Sequence, residues 1–333
     1  MDYRYLGRSG VRISAITLGA QTFGWSVGPE EAGALLDQYL ERGGNYVDAA
    51  DSYNKGESER ILGRWVKARG VRDRVLLGTK VFFPTGSSPN DCGLSRKHIH
   101  RSVEESLERL GTDYVDLYQL HCFDRMTPLD ETLRALDDLV RAGKVRYLGA
   151  SNFAPSHLQK ALMLSQAGGL APLASLQLEY SLLVRSPEWE LLPQCQEEGI
   201  GTLAWSPLAG GWLSGKYRRD QPLPPDSRAG RGDRWDDAAE QRGGERTYAI
   251  IDVLLRIAKE TRRTPAQVAL AWLLQKRLVT SVLIGARTPE QLADNLKAVE
   301  ERLSGAELAA LDEVSHLDAP YPYSFIERYT RKD

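Results

Sequence analysis

The chain has 333 residues, with 43 Lys and Arg against 45 Asp and Glu, so its formal net charge is −2. This balance excludes a nucleic-acid binder that works through a basic surface, because phosphate neutralisation needs clustered excess cations. The length allows two average domains, although α/β barrels of this size form one domain. No apolar run approaches the ~18 residues of a membrane-spanning helix, and no secretion signal is recognisable at the N-terminus.

Three cysteines, Cys92, Cys122 and Cys195, form no CxxC pair and cannot all be paired with one another. This pattern favours a reducing compartment, so we expect a cytoplasmic protein without membrane insertion.

Short β-branched runs alternate with amphipathic stretches, which indicates strands that alternate with helices. The predicted strands are residues 13–20, 46–50, 75–80, 115–120, 145–150, 175–178, 201–205 and 279–284. The predicted helices are residues 30–43, 58–69, 95–110, 128–142, 155–167, 189–198, 247–261, 265–275, 289–301 and 305–314. An aromatic tail follows the last helix, and Ser95 is a suitable helix N-cap.

Eight strand–helix units predict a (β/α)8 TIM barrel, which we expect to occupy residues 1–333 as a single domain. The alternative, a doubly wound sheet, usually carries a GxGxxG turn after its first strand, and residues 19–24 (GAQTFG) lack that spacing. A long polar loop, residues 216–246, would follow the seventh strand on the face where barrels carry active sites. We interpret its Arg231-Gly232-Asp233 tripeptide as a chance match.

Four polar side chains stand at or just after three adjacent strand ends: Asp48, Tyr53, Lys80 and His121. Asp48 and Lys80 can form an ion pair inside the mouth of the barrel. The charge of Lys80 should lower the pKa of Tyr53 below its reference value of about 10 and make it a better proton donor. His121 could donate a hydrogen bond to the same substrate oxygen.

Each of these residues also has an ordinary structural interpretation. Asp48 could cap a helix or loop, Lys80 could extend to solvent, and a single His121 after an apolar strand is usually structural. The joint arrangement favours a functional site.

At these residues the chain resembles the aldo-keto reductase superfamily. Residues 45–63 (NYVDAADSYNKGESERILG) resemble the family's first signature, and residues 78–80 (GTK) and 117–121 (LYQLH) match its lysine and histidine motifs. Residues 205–211 (WSPLAGG) are similar to the branch that includes potassium-channel β subunits and bacterial aldo/keto reductases. The resemblance covers essentially the whole chain.

The resemblance implies an NADPH-dependent carbonyl reductase that needs no metal. Hydride would pass from the nicotinamide to an aldehyde or ketone, with Tyr53 as the general acid. Asp48 and Lys80 would tune Tyr53, and His121 would orient the carbonyl. The cofactor would lie across the C-terminal mouth of the barrel.

The resemblance also implies cofactor contacts around this mouth. Ser151, Asn152 and Gln177 would hold the carboxamide, since their groups donate and accept hydrogen bonds, and Trp205 would stack on the nicotinamide ring. The other implied contacts are Gly19, Ala20, Gln21, Asp48, Ser206, Pro207, Leu208, Gly210, Ser214, Lys216, Arg228, Gly285, Arg287, Gln291, Asp294 and Asn295.

Arg287 indicates which cofactor is preferred, because it precedes a helix N-terminus and its guanidinium can bind a 2′-phosphate through two N–H donors. We therefore expect NADP(H) to be preferred over NAD(H), with Asp294 and Asn295 at the adenine. The alternative is that Arg287 is an ordinary surface charge.

Aromatic residues near the mouth suit a substrate with an apolar or aryl body. Trp25 and Phe82 are predicted to contact it together with Tyr53 and His121; each could instead be a packing or oligomer contact. Further candidates, each of which could equally be a packing or oligomer contact, are Phe83, Trp212, Tyr321, Tyr323, Phe325 and Tyr329.

Two other functions stay open: a regulatory NADPH-binding subunit of the channel-β type, and a ketoreductase of nucleotide-linked deoxysugars. The four polar residues at the strand ends favour a working enzyme, because some channel subunits lack the histidine. The sequence patterns do not identify the physiological substrate, and they do not decide whether the chain forms a homo-oligomer.

Overall fold

The computed structural model describes residues 1–219, 221–225, 227, 230 and 243–330. Among these, eight parallel strands close into a barrel, in which the last strand pairs with the first. The barrel strands are β3 (Ile16–Gly19), β4 (Tyr46–Asp48), β5 (Leu76–Val81), β6 (Val115–Leu120), β7 (Val145–Ser151), β8 (Leu173–Glu179), β9 (Gly201–Trp205) and β10 (Ser281–Ile284). The predicted (β/α)8 barrel is confirmed.

Helices follow the strands and cover the barrel. They are α1 (Pro29–Glu41), α2 (Glu57–Arg69), α3 (Arg96–Leu110), α4 (Leu129–Arg141), α5 (Pro155–Gly168), α6 (Leu191–Glu198), α7 (Glu245–Thr261), α8 (Pro265–Leu274), α9 (Pro289–Lys297), α10 (Gly305–Val314) and α11 (Tyr323–Tyr329). Ser95 caps α3 as predicted, since its side chain accepts from the His98 backbone N–H. None of the helices described is long and apolar enough to cross a membrane.

The N-terminal segment differs from its prediction as one strand over residues 13–20. It contains β2 (Arg12–Ser14), which pairs antiparallel with β1 (Tyr3–Tyr5), and then the barrel strand β3. Leu6 and Ile13 belong to a small buried cluster with side chains of the barrel strands, Tyr46, Leu117, Leu203 and Leu283. The hairpin therefore covers the N-terminal end of the barrel, and the carboxyl ends of the strands form the opposite mouth.

Other differences concern element ends. The helix predicted over residues 189–198 begins at Leu191, after one 3-10 turn, and the helix predicted over residues 289–301 ends at Lys297. The aromatic tail contains the short helix α11. Arg228 and the Arg231-Gly232-Asp233 tripeptide of the predicted 216–246 loop lie outside the described residues.

Candidate active site

The structure brings the four strand-end side chains together. Asp48 ends β4, Lys80 lies in β5, Tyr53 follows β4 in a 3-10 turn, and His121 directly follows β6. The Lys80 Nζ atom donates to Asp48 Oδ2 at 2.5 Å and to Tyr53 Oη at 3.2 Å. The Tyr53 and His121 rings meet edge to face, with their centroids 5.6 Å apart.

Asp48 is a buried carboxylate, and both of its oxygens accept hydrogen bonds. While Lys80 occupies Oδ2, Oδ1 accepts from Gln119 at 2.8 Å, Gln177 at 3.1 Å and the Tyr46 hydroxyl at 3.2 Å. Such matching is what a buried charge requires. The sequence interpretation missed Tyr46 and Gln119; the available signal was a glutamine in an otherwise largely apolar strand, two residues before His121.

Lys80 is charged in this site. Burial, with 0% of the residue exposed, would lower its pKa, but Asp48 and Tyr53 outweigh this effect and the pKa of Lys80 is raised. Its third contact is the Ala49 carbonyl oxygen, at 2.9 Å. All three ammonium donors thus have an acceptor.

The predicted direction of the Tyr53 pKa shift is wrong. Burial raises the pKa of Tyr53, and the charge of Lys80 opposes this effect without reversing it; Asp48 and Asp51 raise the pKa further. Strand-end spacing indicated the lysine beside the phenol but not the desolvation that accompanies it. Tyr53 is therefore protonated at neutral pH, with a cation in place to stabilise its conjugate base.

His121 is neutral. Burial, followed by the charge of Lys80, lowers its pKa well below the usual value. Its Nδ1 atom has no hydrogen-bond partner within the described part of the chain. A neutral imidazole has one N–H to donate, so it can polarise an oxygen but does not bring a positive charge.

The turn that carries Tyr53 is tied to the neighbouring strand end. Asn54 lies in the left-handed region (φ 49°), and its side-chain amide donates to the Gln21 and Phe23 carbonyl oxygens at 3.1 and 2.6 Å. The Ala20 backbone N–H donates to the Asp48 carbonyl at 2.9 Å, next to the Gly19–Asp48 strand pair. These contacts place the predicted positions Gly19, Ala20 and Gln21 beside the Tyr53 turn.

Ser151, Asn152 and Gln177 form a second polar group at the ends of β7 and β8, where Ser151 and Gln177 are strand partners. The Gln177 amide nitrogen donates to Asp48 Oδ1 and Gln119 Oε1, and the Asn152 amide nitrogen donates to the His121 carbonyl and Ser151 Oγ. Both amide groups already use their N–H protons in these bonds, and Ser151 Oγ already accepts one. The two amide oxygens therefore remain as acceptors for a ligand, and the Ser151 hydroxyl remains as a donor. Two acceptors and one donor are what a carboxamide needs.

Trp205 ends β9 beside this group, paired with Glu179 of β8. Its indole Nε1 is buried and has no partner among the described residues. The next residues turn sharply, with Ser206, Ala209, Gly210 and Gly211 all at positive φ. Ser214 donates to the Gly211 carbonyl at 2.7 Å, and Lys216 lies over the Tyr217 ring. Pro207 and Leu208 lie within this turn.

The last predicted contacts lie after β10. Gly285 is exposed with open space around it, and Arg287 is half-buried and forms no ion pair in the described residues. The Gln291 side chain accepts from the Arg287 backbone N–H, and Thr288 caps α9. Both oxygens of Asp294 accept from α8 or its cap, through Gln267 and Thr264. Asn295 is buried.

Aromatic side chains border the group formed by Asp48, Tyr53, Lys80 and His121 unevenly. Phe83 packs edge-on against His121, with centroids 4.7 Å apart, and Phe82 packs against Phe83 at 5.2 Å. Trp25 is 44% exposed. Trp212, a further candidate, is buried in the core, where it stacks on Tyr217. This placement favours the packing alternative for Trp212.

The tail aromatics lie in and around α11. Tyr321, Phe325 and Tyr329 are exposed, whereas Tyr323 donates a hydrogen bond to Glu190 and stacks on Trp189 in the segment after β8.

The three described cysteine thiols are free. In the described ranges, no three His, Cys, Asp or Glu side chains are grouped as metal ligands.

Comparison with known proteins agrees with this geometry. The model of the Aldo/keto reductase family matches residues 15–316, most of the chain. The chain belongs to the aldo/keto reductase family. In the described residues of this aldo/keto reductase, the match begins just before β3 and extends beyond α10.

Similar proteins include enzymes and channel-associated subunits. An uncharacterized oxidoreductase of Bacillus subtilis is 40% identical, over 94% of this chain and 96% of the relative. L-glyceraldehyde 3-phosphate reductase of Escherichia coli is 36% identical, over 94% and 92%. A probable voltage-gated potassium channel subunit beta of Arabidopsis thaliana is also 36% identical, over 90% and 92%. The family and its oxidoreductase members support an oxidoreductase.

Proposed function

We propose that this aldo/keto reductase is an NADPH-dependent carbonyl reductase with Tyr53 as its general acid. The observation that carries the proposal is the contact of the protonated Tyr53 phenol with the Lys80 ammonium, 3.2 Å apart, beside the neutral His121 ring. Because a general acid must hold a proton at working pH and lose it to a stabilised base, this pair suits carbonyl reduction.

The residues at the mouth fit a nicotinamide dinucleotide. The acceptor and donor set of Ser151, Asn152 and Gln177 matches a carboxamide, and the unpartnered indole of Trp205 adjoins it. Lys216 carries a positive charge that could bind the diphosphate. Arg287, before the N-terminus of α9, carries one that could bind a 2′-phosphate. We therefore propose NADP(H) over NAD(H). The other implied cofactor contacts, including Asp294 and Asn295 at the adenine, remain part of this proposal.

A bound NADPH would supply the hydride that reduces the carbonyl carbon. The protein's own groups complete the reaction. His121 donates a hydrogen bond to the carbonyl oxygen, and Tyr53 transfers its phenolic proton to that oxygen as the alcohol forms. Lys80, held by Asp48, stabilises the phenolate that remains until solvent returns the proton. Phe83 and Phe82 would present apolar surface to the substrate, with Trp25 at the exposed rim.

The similarity to channel β subunits supports a second candidate, a protein that binds NADPH and regulates a partner. The ketoreductase of nucleotide-linked deoxysugars remains the third. A screen of aryl aldehydes, ketones and nucleotide-linked ketosugars, with NADPH and NADH in parallel, separates them. Oxidation of NADPH by aldehydes supports the reductase, selective turnover of ketosugars supports the third candidate, and tight NADPH binding without turnover of any substrate contradicts enzymatic function.

We also propose that residues 1–333 form one domain, because the N-terminal hairpin and barrel side chains share one buried cluster. A cytoplasmic location is proposed from the three free thiols. Oligomeric state follows from neither observation, and the exposed aromatics of the tail leave a homo-oligomer open.

A further inference from the structure

Asp51 is a buried carboxyl that the proposed reaction does not use. Only 1% of the residue is exposed, and it lies in the turn between Asp48 and Tyr53. Its backbone N–H donates to the Lys80 carbonyl at 3.2 Å, and the Tyr53 N–H donates to the Ala50 carbonyl at 3.2 Å. The backbone of Asp51 therefore ties the Tyr53 turn to β5.

The side chain of Asp51 ties the same turn to α3. The buried Ser102 hydroxyl donates to Asp51 Oδ2 at 2.7 Å. The second oxygen, Oδ1, is buried and has no partner in the described segments. Asp48, three residues earlier, has both oxygens matched, so Asp51 is the less stabilised of the two buried carboxyls.

Asp51 forms no ion pair with a cationic side chain in the described residues. Arg109 of α3 is paired with Glu59 of α2, through Nε and Oε2 at 2.6 Å. Glu59 also accepts from Thr79 of β5, and the phenol of Tyr118 on β6 is a neutral neighbour. Lys80 contributes its carbonyl from β5 but directs its ammonium to Asp48 and Tyr53.

In these surroundings the Asp51 carboxyl loses its proton in the neutral pH range. Burial raises the pKa of Asp51 to about 7; the Ser102 hydrogen bond, the charge of Arg109 and the Ser52 backbone oppose this shift, and Glu59 reinforces it. The negative charge of Asp51 in turn raises the pKa of Tyr53, in addition to the larger effect of burial.

We infer that Asp51 is a positioning residue for Tyr53: its carboxyl holds the Tyr53 turn against α3 through Ser102, and its negative charge acts on the Tyr53 phenol against the charge of Lys80. This inference deepens the proposed function and rests on it for the role of Tyr53. It separates two effects, tether and charge, that two substitutions can remove one at a time.

Asp51→Asn keeps the size and the acceptor for Ser102 but removes the charge. The Tyr53 pKa should fall, so the basic limb of the kcat/KM profile should move to lower pH. Loss of the Ser102 hydrogen bond raises the Asp51 pKa further, but Asp51 stays charged at the alkaline pH of the basic limb, so Ser102→Ala removes the tether and keeps the charge there. Its kcat should fall several-fold at unchanged KM, with the basic limb in place. Asp113→Asn, which removes an exposed charge, should change neither quantity.

A second measurement needs no turnover. Isotope-labelled tyrosine followed by NMR, with the Tyr53 signal assigned by Tyr53→Phe, gives the Tyr53 pKa in the free protein. The same downward shift is expected in Asp51→Asn, and in Asp51→Ser should the first variant not fold. An unchanged Tyr53 pKa in a folded uncharged variant would overturn the inference. Absent aldehyde reduction by the wild type would instead contradict the proposed function, while this titration still decides the part of Asp51.

Discussion

The side-chain amide of Gln177 donates to Asp48 across 3.1 Å, although 129 residues separate the two in sequence. Through this bond the group proposed to hold the nicotinamide carboxamide shares a buried carboxylate with the Lys80–Tyr53 pair. Positioning of the cofactor and acidity of the proton donor are therefore expected to be coupled.

Replacement of Gln177 by Glu tests this coupling. A second carboxyl beside the buried Asp48 forces one of the two to take up a proton, because like charges in one site cannot both ionise. We expect kcat to fall by roughly tenfold or more and Tm to decrease. The control is Gln166→Glu on the exposed side of α5, which should leave kcat and Tm unchanged. Wild-type kinetics for the Gln177 variant would show that the bond carries no coupling.

Replacement of Lys80 by Met tests the buried ion pair. Asp48 would keep its amide donors but lose its cation, and breaking a buried pair costs about 3–5 kcal/mol. We expect this loss in the free energy of unfolding from urea titration at neutral pH. Lys144→Met breaks an exposed pair with Glu104 and should cost less than about 1 kcal/mol. Equal losses in the two variants would contradict a special role for the buried pair.

Replacement of Arg287 by Ala tests the cofactor preference. A hydrogen bond to a charged group contributes about 1.5–3 kcal/mol, so the Kd for NADPH should rise roughly tenfold to a hundredfold. The Kd for NADH, which lacks the 2′-phosphate, should change little. Arg302→Ala, at an exposed arginine before α10, is the matched control. Equal losses for both cofactors would remove the 2′-phosphate assignment from Arg287.

The pH profile tests the protonation states. Since burial and Lys80 hold the His121 pKa well below its usual value, no acid limb from this residue should appear near about pH 6.5. Since burial raises the Tyr53 pKa, the basic limb should lie above about pH 10. The chemical step of reduction, measured in single turnovers, should show no limb from His121 or Tyr53 between these values. A limb that is present in wild type near pH 6.5 and absent in His121→Asn would contradict a neutral His121.

Sequence reasoning reached the barrel and its four central side chains for one physical reason. Parallel strands place their carboxyl ends at one edge, so residues at successive strand ends, such as Asp48, Lys80 and His121, must converge. It missed Tyr46 and Gln119 because their role depends on which way each side chain faces within a strand. That direction follows from strand register, which local spacing does not give.

Burial accounts for the remaining misses. The Tyr53 pKa was predicted in the wrong direction because the charge of Lys80 can be read from its position, whereas the cost of desolvation depends on the packing of the whole mouth. Trp212 has the same aromatic character as Trp25, yet one lies in the core and the other is 44% exposed. Residues 13–20 are almost all buried, Ser14 and Thr17 included, so the segment resembles one strand and the end of the β1–β2 hairpin at Ser14 was missed.

The most direct test of the central claim is a hydride-transfer experiment with NADPH deuterated at the transferable position and an aryl aldehyde. The account predicts that wild type forms an alcohol with one deuterium on the former carbonyl carbon. Tyr53→Phe should bind NADPH with unchanged Kd and form the alcohol roughly a hundredfold to ten-thousandfold more slowly. Tyr329→Phe, in the exposed tail, should behave as wild type. Alcohol without deuterium, or undiminished transfer by Tyr53→Phe, would contradict the account.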